Sequence, residues 1–269
     1  MTARGAVALV RASLRLGVSL VLAYRLEVIV QIASASIVAL LNWSLWTAIY
    51  QGRDEIAGRT ATEMTTYVVV AWIVTTFYGN QIDRWLGARF RTGALAIDLL
   101  RPWSLQAHLY LRDLGRAGMS LMLTTAPLFI WTQTLLPLQA PKRAIVWAAF
   151  GVSLLLAHAI SFGFSWLVGV ASFRLRNAAG LTNLKATIIS IFSGALIPLD
   201  LYPAPLRAAV MWMPFQGLSH TPANIFIETI PIATLWQPLL VQAGWAVLLA
   251  VLGALAFRRA TQQLVIQGG

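Results

Sequence analysis

The stretch AIVWAAFGVSLLLAHAISFGFSWLVGVASF, residues 144–173, contains no aspartate, glutamate, lysine or arginine. A helix needs about 20 consecutive apolar residues to cross the hydrocarbon core of a bilayer, and this stretch is longer than that. It therefore predicts a membrane-spanning helix. Small residues recur at every fourth position within it and form one helix face: Ala149, Ser153, Ala157, Ser161, Ser165 and Gly169.

A face made only of small residues lets another helix approach closely. The packing partner is either a helix of the same chain or, as the alternative, a helix of a second membrane subunit. The sequence leaves both open.

The composition of the whole chain agrees with a membrane protein, because 58% of its 269 residues are hydrophobic and only 11% are charged. Ordinary soluble domains are far less apolar. Five further apolar runs predict spans at residues 28–50, 64–81, 117–136, 186–199 and 239–257. We therefore expect an all-α integral membrane protein, with six transmembrane helices in a single domain covering residues 1–269.

The N-terminal region resembles a signal peptide only superficially. Arg4, Arg11 and Arg15 precede an apolar run, but Arg25 and Glu27 interrupt it. We expect residues 5–24 to form an uncleaved amphipathic helix that lies in the headgroup layer with its arginines toward water.

Residues 200–238 combine an apolar character with many prolines, which forbid a long continuous helix. An apolar segment is also unsuited to a solvated loop, so we expect broken helices that re-enter the membrane from the outer side, sheltered by protein. The expected breakpoints are Pro198, Pro203, Pro214 and Pro222. Within the third span, Pro127 predicts a kink.

The distribution of positive charge predicts the orientation. With six spans, 15 of the 20 lysines and arginines fall on the side of the N-terminus, and the remaining five on the other side are Arg53, Arg59, Lys142, Arg143 and Arg207. Because cytoplasmic loops are enriched in lysine and arginine, both termini are expected in the cytoplasm. The net charge of +11 is thereby explained without a nucleic-acid partner.

The connection at residues 84–116 contains RTGALAIDLLRP, residues 91–102. Its charges are too many for a lipid-exposed span. Its leucines are unexpected in a plain solvated loop, although a loop that only sets the topology would explain the arginines. We expect a cytoplasmic surface element here.

Residues that could carry chemistry are few. The three histidines form no HExxH pair and there is no cysteine, so neither a catalytic nor a metal site is predicted. His158 is expected to be a packing histidine, with a proton relay as the alternative. No acidic residue is expected deep in a span; Asp83 comes closest, with Arg84 beside it as its expected partner. No phosphate-binding loop is present, because neither lysine follows glycine and precedes serine or threonine.

Several motifs together resemble ABC-2-type permeases, the membrane subunits of ABC exporters. These are RTGAL through LLRP at 91–102, SGALIPLDLYP at 193–203, MPF at 213–215 with Pro222 after it, and the end of the chain from Arg258 and Arg259, which is similar to one uncharacterised, multidrug-like bacterial branch. The resemblance covers nearly the whole chain.

The resemblance implies a coupling helix between the second and third spans that docks on an ATPase subunit. The implied coupling residues are Arg89, Arg91, Leu95, Ile97, Asp98, Leu99, Arg101 and Pro102. It further implies a bacterial cytoplasmic membrane, a second permease, identical or a sister chain, and two copies of the ATPase. That partner would use ATP and magnesium, and this chain would bind no cofactor. The re-entrant segment would cap the path, with Glu228 as a polar rim contact.

Candidates for the translocation path are Asn42, Trp43, Phe77 and Asn80, although anchoring toward lipid explains them equally well. The leading alternative function is a membrane-embedded transferase acting on lipid-linked substrates, which would require a cluster of acid, base or metal-binding groups. The third possible function is that of a scaffold subunit without a transport path. Nothing in the sequence separates hydrophobic drugs, lipids and polysaccharides as cargo.

Overall fold

The computed structural model describes residues 10–19, 25–100, 103–174 and 179–267. This part of the chain is almost entirely helical. The long helices and the short helices between them are α1 (residues 10–19), α2 (Arg25–Ile49), α3 (Ala61–Tyr78), α4 (Ile82–Arg91), α5 (Leu95–Leu99), α6 (Leu105–Ser120), α7 (Ala126–Leu135), α8 (Ala144–Ala171), α9 (Ala179–Phe192), α10 (Ala204–Met211), α11 (His220–Phe226) and α12 (Trp236–Gln267). An antiparallel hairpin of β1 (Glu55–Ile56) and β2 (Arg59–Thr60) precedes α3.

Helix α3 lies at the centre of the bundle. Its first turn is fixed by a capping box, in which the Thr60 hydroxyl accepts from the Glu63 backbone N–H and the Glu63 carboxylate accepts from the Thr60 backbone N–H. From Met64 to Tyr78 nearly every side chain is buried, on all sides of the helix. Such a helix packs against neighbours all round rather than facing lipid.

Three helices among the described residues are long and apolar enough to cross a membrane: Val28–Ile49, Ala144–Ala171 and Ile232–Gln262. The first and third expose most of their surface, whereas half of the second is buried. Helix α8 is therefore the inner span of these three, and it packs along α12 and α4. The expectation of an all-α membrane protein is confirmed at this level.

The helix that contains the third predicted span begins at Leu105, twelve residues before the predicted start at 117. Its polar first half can be helical because its charged groups find partners inside the bundle. A π turn over Leu121–Thr125 joins α6 to α7, and Pro127 follows in the first turn of α7. Proline lacks an N–H and distorts the preceding turn, so the irregularity lies where the kink was expected.

The helix that contains the fifth predicted span, α9, covers Ala179–Phe192 rather than 186–199. It ends early because Gly194 adopts a positive φ of 83°. That conformation is costly for other residues. The Gly194 carbonyl accepts from the Tyr67 hydroxyl at 3.2 Å, which ties the turn to the centre of the bundle.

The proline-rich segment consists of short helices and 3₁₀ turns. Pro198 precedes the turn Leu199–Leu201, Pro203 precedes α10, and Pro214 opens the turn Pro214–Gly217. Pro222 lies in the first turn of α11 and does not interrupt it, because a proline there gives up no helical hydrogen bond. Helix α11 is buried along its length, whereas most of α10 is exposed.

Residues 10–19 pack closely on α6. A Cβ atom on Gly115 would overlap the Leu14 carbonyl oxygen, so only glycine permits this approach. The Ser13 hydroxyl lies 2.8 Å from His108 Nδ1. Residues 5–9 and 20–24 of the expected interfacial helix lie outside the described residues.

Contacts far apart in sequence bring three connections to one end of the bundle. Arg59 binds Asp200 at 2.6 Å, and the Lys142 backbone N–H donates to Glu228 Oε1 at 3.0 Å. Residues 51–60, 136–143 and 198–231 therefore meet at that end, and α4 and α5 lie at the other.

Candidate coupling site and the polar clusters behind it

The expected coupling element is a helical hairpin formed by α4, a turn at Gly93 and α5. Gly93 has a positive φ of 70°, which reverses the chain at low cost. Leu95 is buried in a cluster with Leu86 and Phe90. The buried Asp98 carboxylate lies 3.6 Å from Arg89 Nε. One apolar side chain and one ion pair thus fix α5 against α4.

The outer face of α5 is apolar and exposed. Ile97, Leu99 and Leu100 are 65%, 40% and 84% exposed, and the Arg91 side chain nearby is also exposed. Leu95 was expected to contact a partner, but it is turned into the chain's own core because α5 is helical and positions 95 and 98 share its inner face. Leu100, which the sequence reading did not select, is the most exposed of the group.

Arg101 and Pro102 lie outside the described residues. Arg89 is held by Asp98 and also lies over the Trp85 ring, 5.0 Å from its centroid. The described coupling candidates therefore divide into anchors (Arg89, Leu95, Asp98) and exposed groups (Arg91, Ile97, Leu99). The 3.6-residue helix period, applied to this segment, would have indicated the division and the position of Leu100.

A buried ion pair lies behind the hairpin. Asp83 of α4 and Lys185 of α9 approach within 3.0 Å, and Lys185 Nζ also donates to Ser165 Oγ of α8 at 2.9 Å. The expectation that Arg84 neutralises Asp83 is wrong, since consecutive helical residues point in different directions. The pair joins three helices at this end of the bundle.

A second buried cluster centres on Asp113 of α6, which is 4% exposed. His158 Nε2 of α8 lies 3.0 Å from Asp113 Oδ2, and Arg116 Nε donates to Asp113 Oδ1 at 2.7 Å. Arg116 also donates to the Gly79 carbonyl. The sequence reading missed this acidic group because it placed residue 113 in a cytoplasmic connection. His158 Nδ1 has no partner among the described residues.

All six residues of the small-residue face are buried within the chain. Gly169 lets α4 approach closely, because a Cβ atom added at residue 169 would lie only 3.0 Å from Leu86 Cβ. Ser161 Oγ donates to the Tyr78 carbonyl at 2.9 Å, and Ser153 Oγ donates to Gln242 Oε1 at 2.9 Å. The chain's own helices cover this face, so it offers no seam to a second subunit.

A polar cleft of about 860 Å³ opens between α2, α4 and α6. It is lined by Val28, Gln31, Gly79, Asn80, Gln81, Ile82, Arg84, Trp85, Arg112, Asp113, Arg116, Ser120 and Thr124. Of the four path candidates, Asn80 lies in this cleft and donates to Ser161 Oγ at 3.1 Å. Phe77 is buried with its ring 5.9 Å from that of His158. Asn42 and Trp43 lie on α2, where Asn42 Nδ2 donates to the Val38 carbonyl and Trp43 packs against the core cluster that contains Phe77.

The opposite end holds a third polar network. Arg59 donates to Asp200 and to Asn224 Oδ1, at 2.6 and 2.7 Å. Asn224 Nδ2 lies 3.0 Å from His220 Nε2, and His220 Nδ1 lies 2.9 Å from the Tyr67 hydroxyl. Because Asn224 Oδ1 is occupied, its amide N–H donates to Nε2, so Nδ1 carries the proton.

His220, which lies outside the spanning helices, is therefore held neutral. Burial lowers the pKa of His220 to about 4; nearby Asp200 raises this pKa and Arg59 lowers it. A second proton on Nε2 would face the Asn224 amide donor, so the hydrogen bonds also oppose protonation. Through the Tyr67 hydroxyl, the network also contacts the positive-φ turn at Gly194.

The carboxylates of these clusters are engaged in ion pairs. No three His, Asp or Glu side chains of the described ranges stand close enough together to hold a metal ion. The carboxylates of Asp83, Asp98, Asp113 and Asp200 are each paired with a basic side chain. These groups serve to hold helices together.

Comparison with known proteins assigns the family. Residues 36–268 match the model of a family described as ABC-2 family transporter protein. Neither the curated proteins nor the solved structures give a match. The matched region includes α3 to α12, the hairpin with its exposed apolar face and the proline-rich segment. The chain therefore belongs to the ABC-2 family of transporter proteins, whose members are multi-pass membrane permeases that associate with an ABC ATPase.

Proposed function

We propose that the chain is the permease subunit of an ATP-driven exporter in a bacterial cytoplasmic membrane. It would pair with a second permease, identical or a sister chain, and with two ATPase subunits that use ATP and magnesium. Six spans are proposed, built from α2, α3, α6 with α7, α8, α9 and α12, with both termini in the cytoplasm. The grouping of the five positive residues of the minority side at the end opposite α5 supports this orientation.

The observation that carries the proposal is the exposed apolar face of α5. Exposed leucine and isoleucine on a charged, non-spanning helix are costly in water and indicate a protein contact. Ile97, Leu99 and Leu100 would enter a groove of the ATPase, while Arg91, with Arg101, would meet acidic groups at its rim. A helix laying an apolar face into a groove is a common mode of recognition.

The anchors of α5 supply the route for coupling. Movement of the ATPase would displace α5, and Leu95 and Asp98 would transmit the displacement to α4. The Asp83–Lys185 pair would pass it on to α9, and Gly169 would pass it to α8. A rigid-body response of packed helices is a known form of such coupling.

The test is co-purification of the chain from its native host, followed by mass spectrometry of the associated proteins. We expect an ATP-binding subunit with the wild type and its loss with the double variant Ile97→Asp and Leu100→Asp. Leu206→Asp, an exposed leucine on α10 at the other end, is the matched control and should retain the subunit. A purified chain that moves substrate without any ATPase would overturn the proposal.

Arg91, at the end of α4, and Arg101, which follows α5 in the sequence, provide a second test. Exchanging Arg91 and Arg101 together for glutamate should abolish docking and leave membrane insertion intact, because neither substitution lies in an apolar span. Normal ATP-driven export by that variant would remove the coupling role from this hairpin while leaving the family assignment in place.

A further inference from the structure

The cleft between α2, α4 and α6 carries more positive charge than its own carboxylate balances. Three arginines line it, Arg84, Arg112 and Arg116, against one carboxylate, Asp113. Asp113 is already bound to Arg116, and Asp98, the other carboxylate near Arg112, is paired with Arg89. Two guanidinium groups, those of Arg84 and Arg112, therefore remain without a carboxylate partner among the described residues.

These two arginines differ in exposure, which suits a ligand that enters from the surface. Arg84 is exposed, whereas Arg112 is half-buried with its guanidinium 5.0 Å from the centroid of the Trp85 ring. Stacking on the indole face holds the Arg112 side chain but uses none of its five N–H donors. Arginine donors fixed in this way match phosphate oxygens in geometry and charge.

Twelve residues beyond Arg112, the same cleft also holds an unpaired buried hydroxyl. Thr124 lies in its wall with 1% of its surface exposed, and its hydroxyl has no hydrogen-bond partner among the described residues. An unpaired buried hydroxyl is unfavourable. Gln81 adds an amide group to the lining, whereas the Asn80 amide already donates to Ser161 Oγ and to the Tyr78 carbonyl.

The position of the cleft in the bundle indicates where a ligand would come from. Val28, which lines it, is also the first residue of the apolar span Val28–Ile49, so the cleft opens at the level where a hydrocarbon core would end. Next to it, Leu26, Ile29 and Val30 are exposed on α2, between 62% and 79%. A phosphate in the cleft and hydrocarbon chains along α2 would therefore fit one amphiphile.

We propose that this cleft is a binding site for the phosphate headgroup of an anionic membrane lipid, held by Arg84 and Arg112 with its acyl chains along α2. Basic pockets between membrane helices are known to take lipid headgroups. The site is independent of the docking face on α5 and of the direction of transport. It explains in one step the two unpaired arginines and the apolar surface beside them.

The test measures lipid retained by the purified full chain. Protein in a neutral detergent is equilibrated with equal amounts of phosphatidylglycerol and phosphatidylcholine, separated by size exclusion, and the bound lipids are quantified by mass spectrometry. We expect phosphatidylglycerol to be retained in preference, and the double variant Arg84→Gln and Arg112→Gln to retain at least tenfold less of it. Arg258→Gln with Arg259→Gln removes two exposed arginines at the same end and should retain as much as the wild type.

Two further measurements separate the sources of the phosphate. Inorganic phosphate and glycerol phosphate at millimolar concentration should not displace the lipid, because they lack the hydrocarbon contact with α2. Displacement by either would replace the lipid proposal with a site for a free phosphate ion. Equal retention of both lipids by the wild type would overturn the proposal altogether.

Single variants keep the test independent of folding. Arg84 is exposed, so Arg84→Gln should leave the melting temperature unchanged while it lowers phosphatidylglycerol retention about threefold or more. Thr124→Val, which keeps the side-chain shape at a position about 18 Å beyond Arg112 along the same helical segment, is the control and should leave retention unchanged. Full retention by Arg84→Gln and by the double variant would contradict the assignment of the site.

Discussion

Asp113 and His158 lie 3.0 Å apart, carboxylate to imidazole, at a contact between α6 and α8 that is almost completely buried. Arg116 binds the other oxygen of the carboxylate. One acidic group thus holds two basic side chains and, through Arg116, the Gly79 carbonyl at the end of α3. The arrangement fastens three helices at one point.

Replacing Asp113 with alanine should destabilise the chain strongly. The fully buried His158 would lose its only hydrogen-bond partner among the described residues, and the partly exposed Arg116 would lose its carboxylate; breaking a buried pair in this way costs about 3 to 5 kcal/mol. The melting temperature of the purified protein in detergent measures the effect. Asp54→Ala removes an exposed carboxylate and should leave the melting temperature unchanged; equal behaviour of the two variants would show that the cluster carries no stability.

The sequence was sufficient to predict the class of fold and the family, because hydropathy, prolines and motif order are local properties. It also predicted a surface element at residues 89–102, and in the described part of that range Arg91, Ile97 and Leu99 are exposed. Asp113 shows where such reading fails: its neighbours in sequence are polar, and only the return of α8 brings His158 beside it. Pairing across 45 or, for Arg59 and Asp200, 141 positions is a property of packing and cannot be read from spacing.

The predicted bounds of two helices, α6 and α9, were wrong for a related reason. The polar half of α6 and the first turns of α9 lack the apolar character of a span, yet both are helical because the bundle supplies partners for Asp113 and Lys185. The burial of Leu95 follows the same rule, since a helical segment of mixed character must turn one side inward.

Gly194→Ala should lower the stability of the turn after α9. The backbone there has a φ of 83°, and a Cβ atom would lie 2.5 Å from the Tyr67 hydroxyl and 3.1 Å from His220 Cβ. The strained backbone and the overlap together should cost about 1 to 3 kcal/mol, seen as a lower melting temperature. Gly151→Ala on α8 meets no atom within 4 Å and serves as the matched control, with no loss expected.

Acidification should weaken the network around His220. Its pKa is about 4 in the folded chain, below the usual 6.5, so between these values the unfolded chain binds a proton that the folded chain does not. Stability should therefore be complete above about pH 6.5 and fall as the pH decreases toward 4. Melting temperatures at pH 7.5, 6, 5 and 4.5 measure this dependence.

The variant His220→Asn is the comparison for the pH series. It removes the titrating group, so its melting temperature should depend less on pH over the same range, even if it starts lower. Asp200 and Arg59 remain in the network in both proteins and their contribution is common to both. Parallel curves for the wild type and the variant would assign the acid sensitivity to other groups.

The ion pair between Asp83 and Lys185 is best tested by exchanging its members singly and together. Asp83→Asn leaves the Lys185 ammonium with only Ser165 as a partner, and Lys185→Met leaves the buried Asp83 carboxylate without a cation. Each single change should cost about 3 to 5 kcal/mol, whereas the double variant should cost much less than their sum, because no charge is left unpaired. The melting temperatures of the wild type, the two single variants and the double variant together form a double-mutant cycle, which measures the interaction between the two side chains. Additive effects would show that the two groups do not interact, and α4 would then have to be joined to α9 by apolar packing alone.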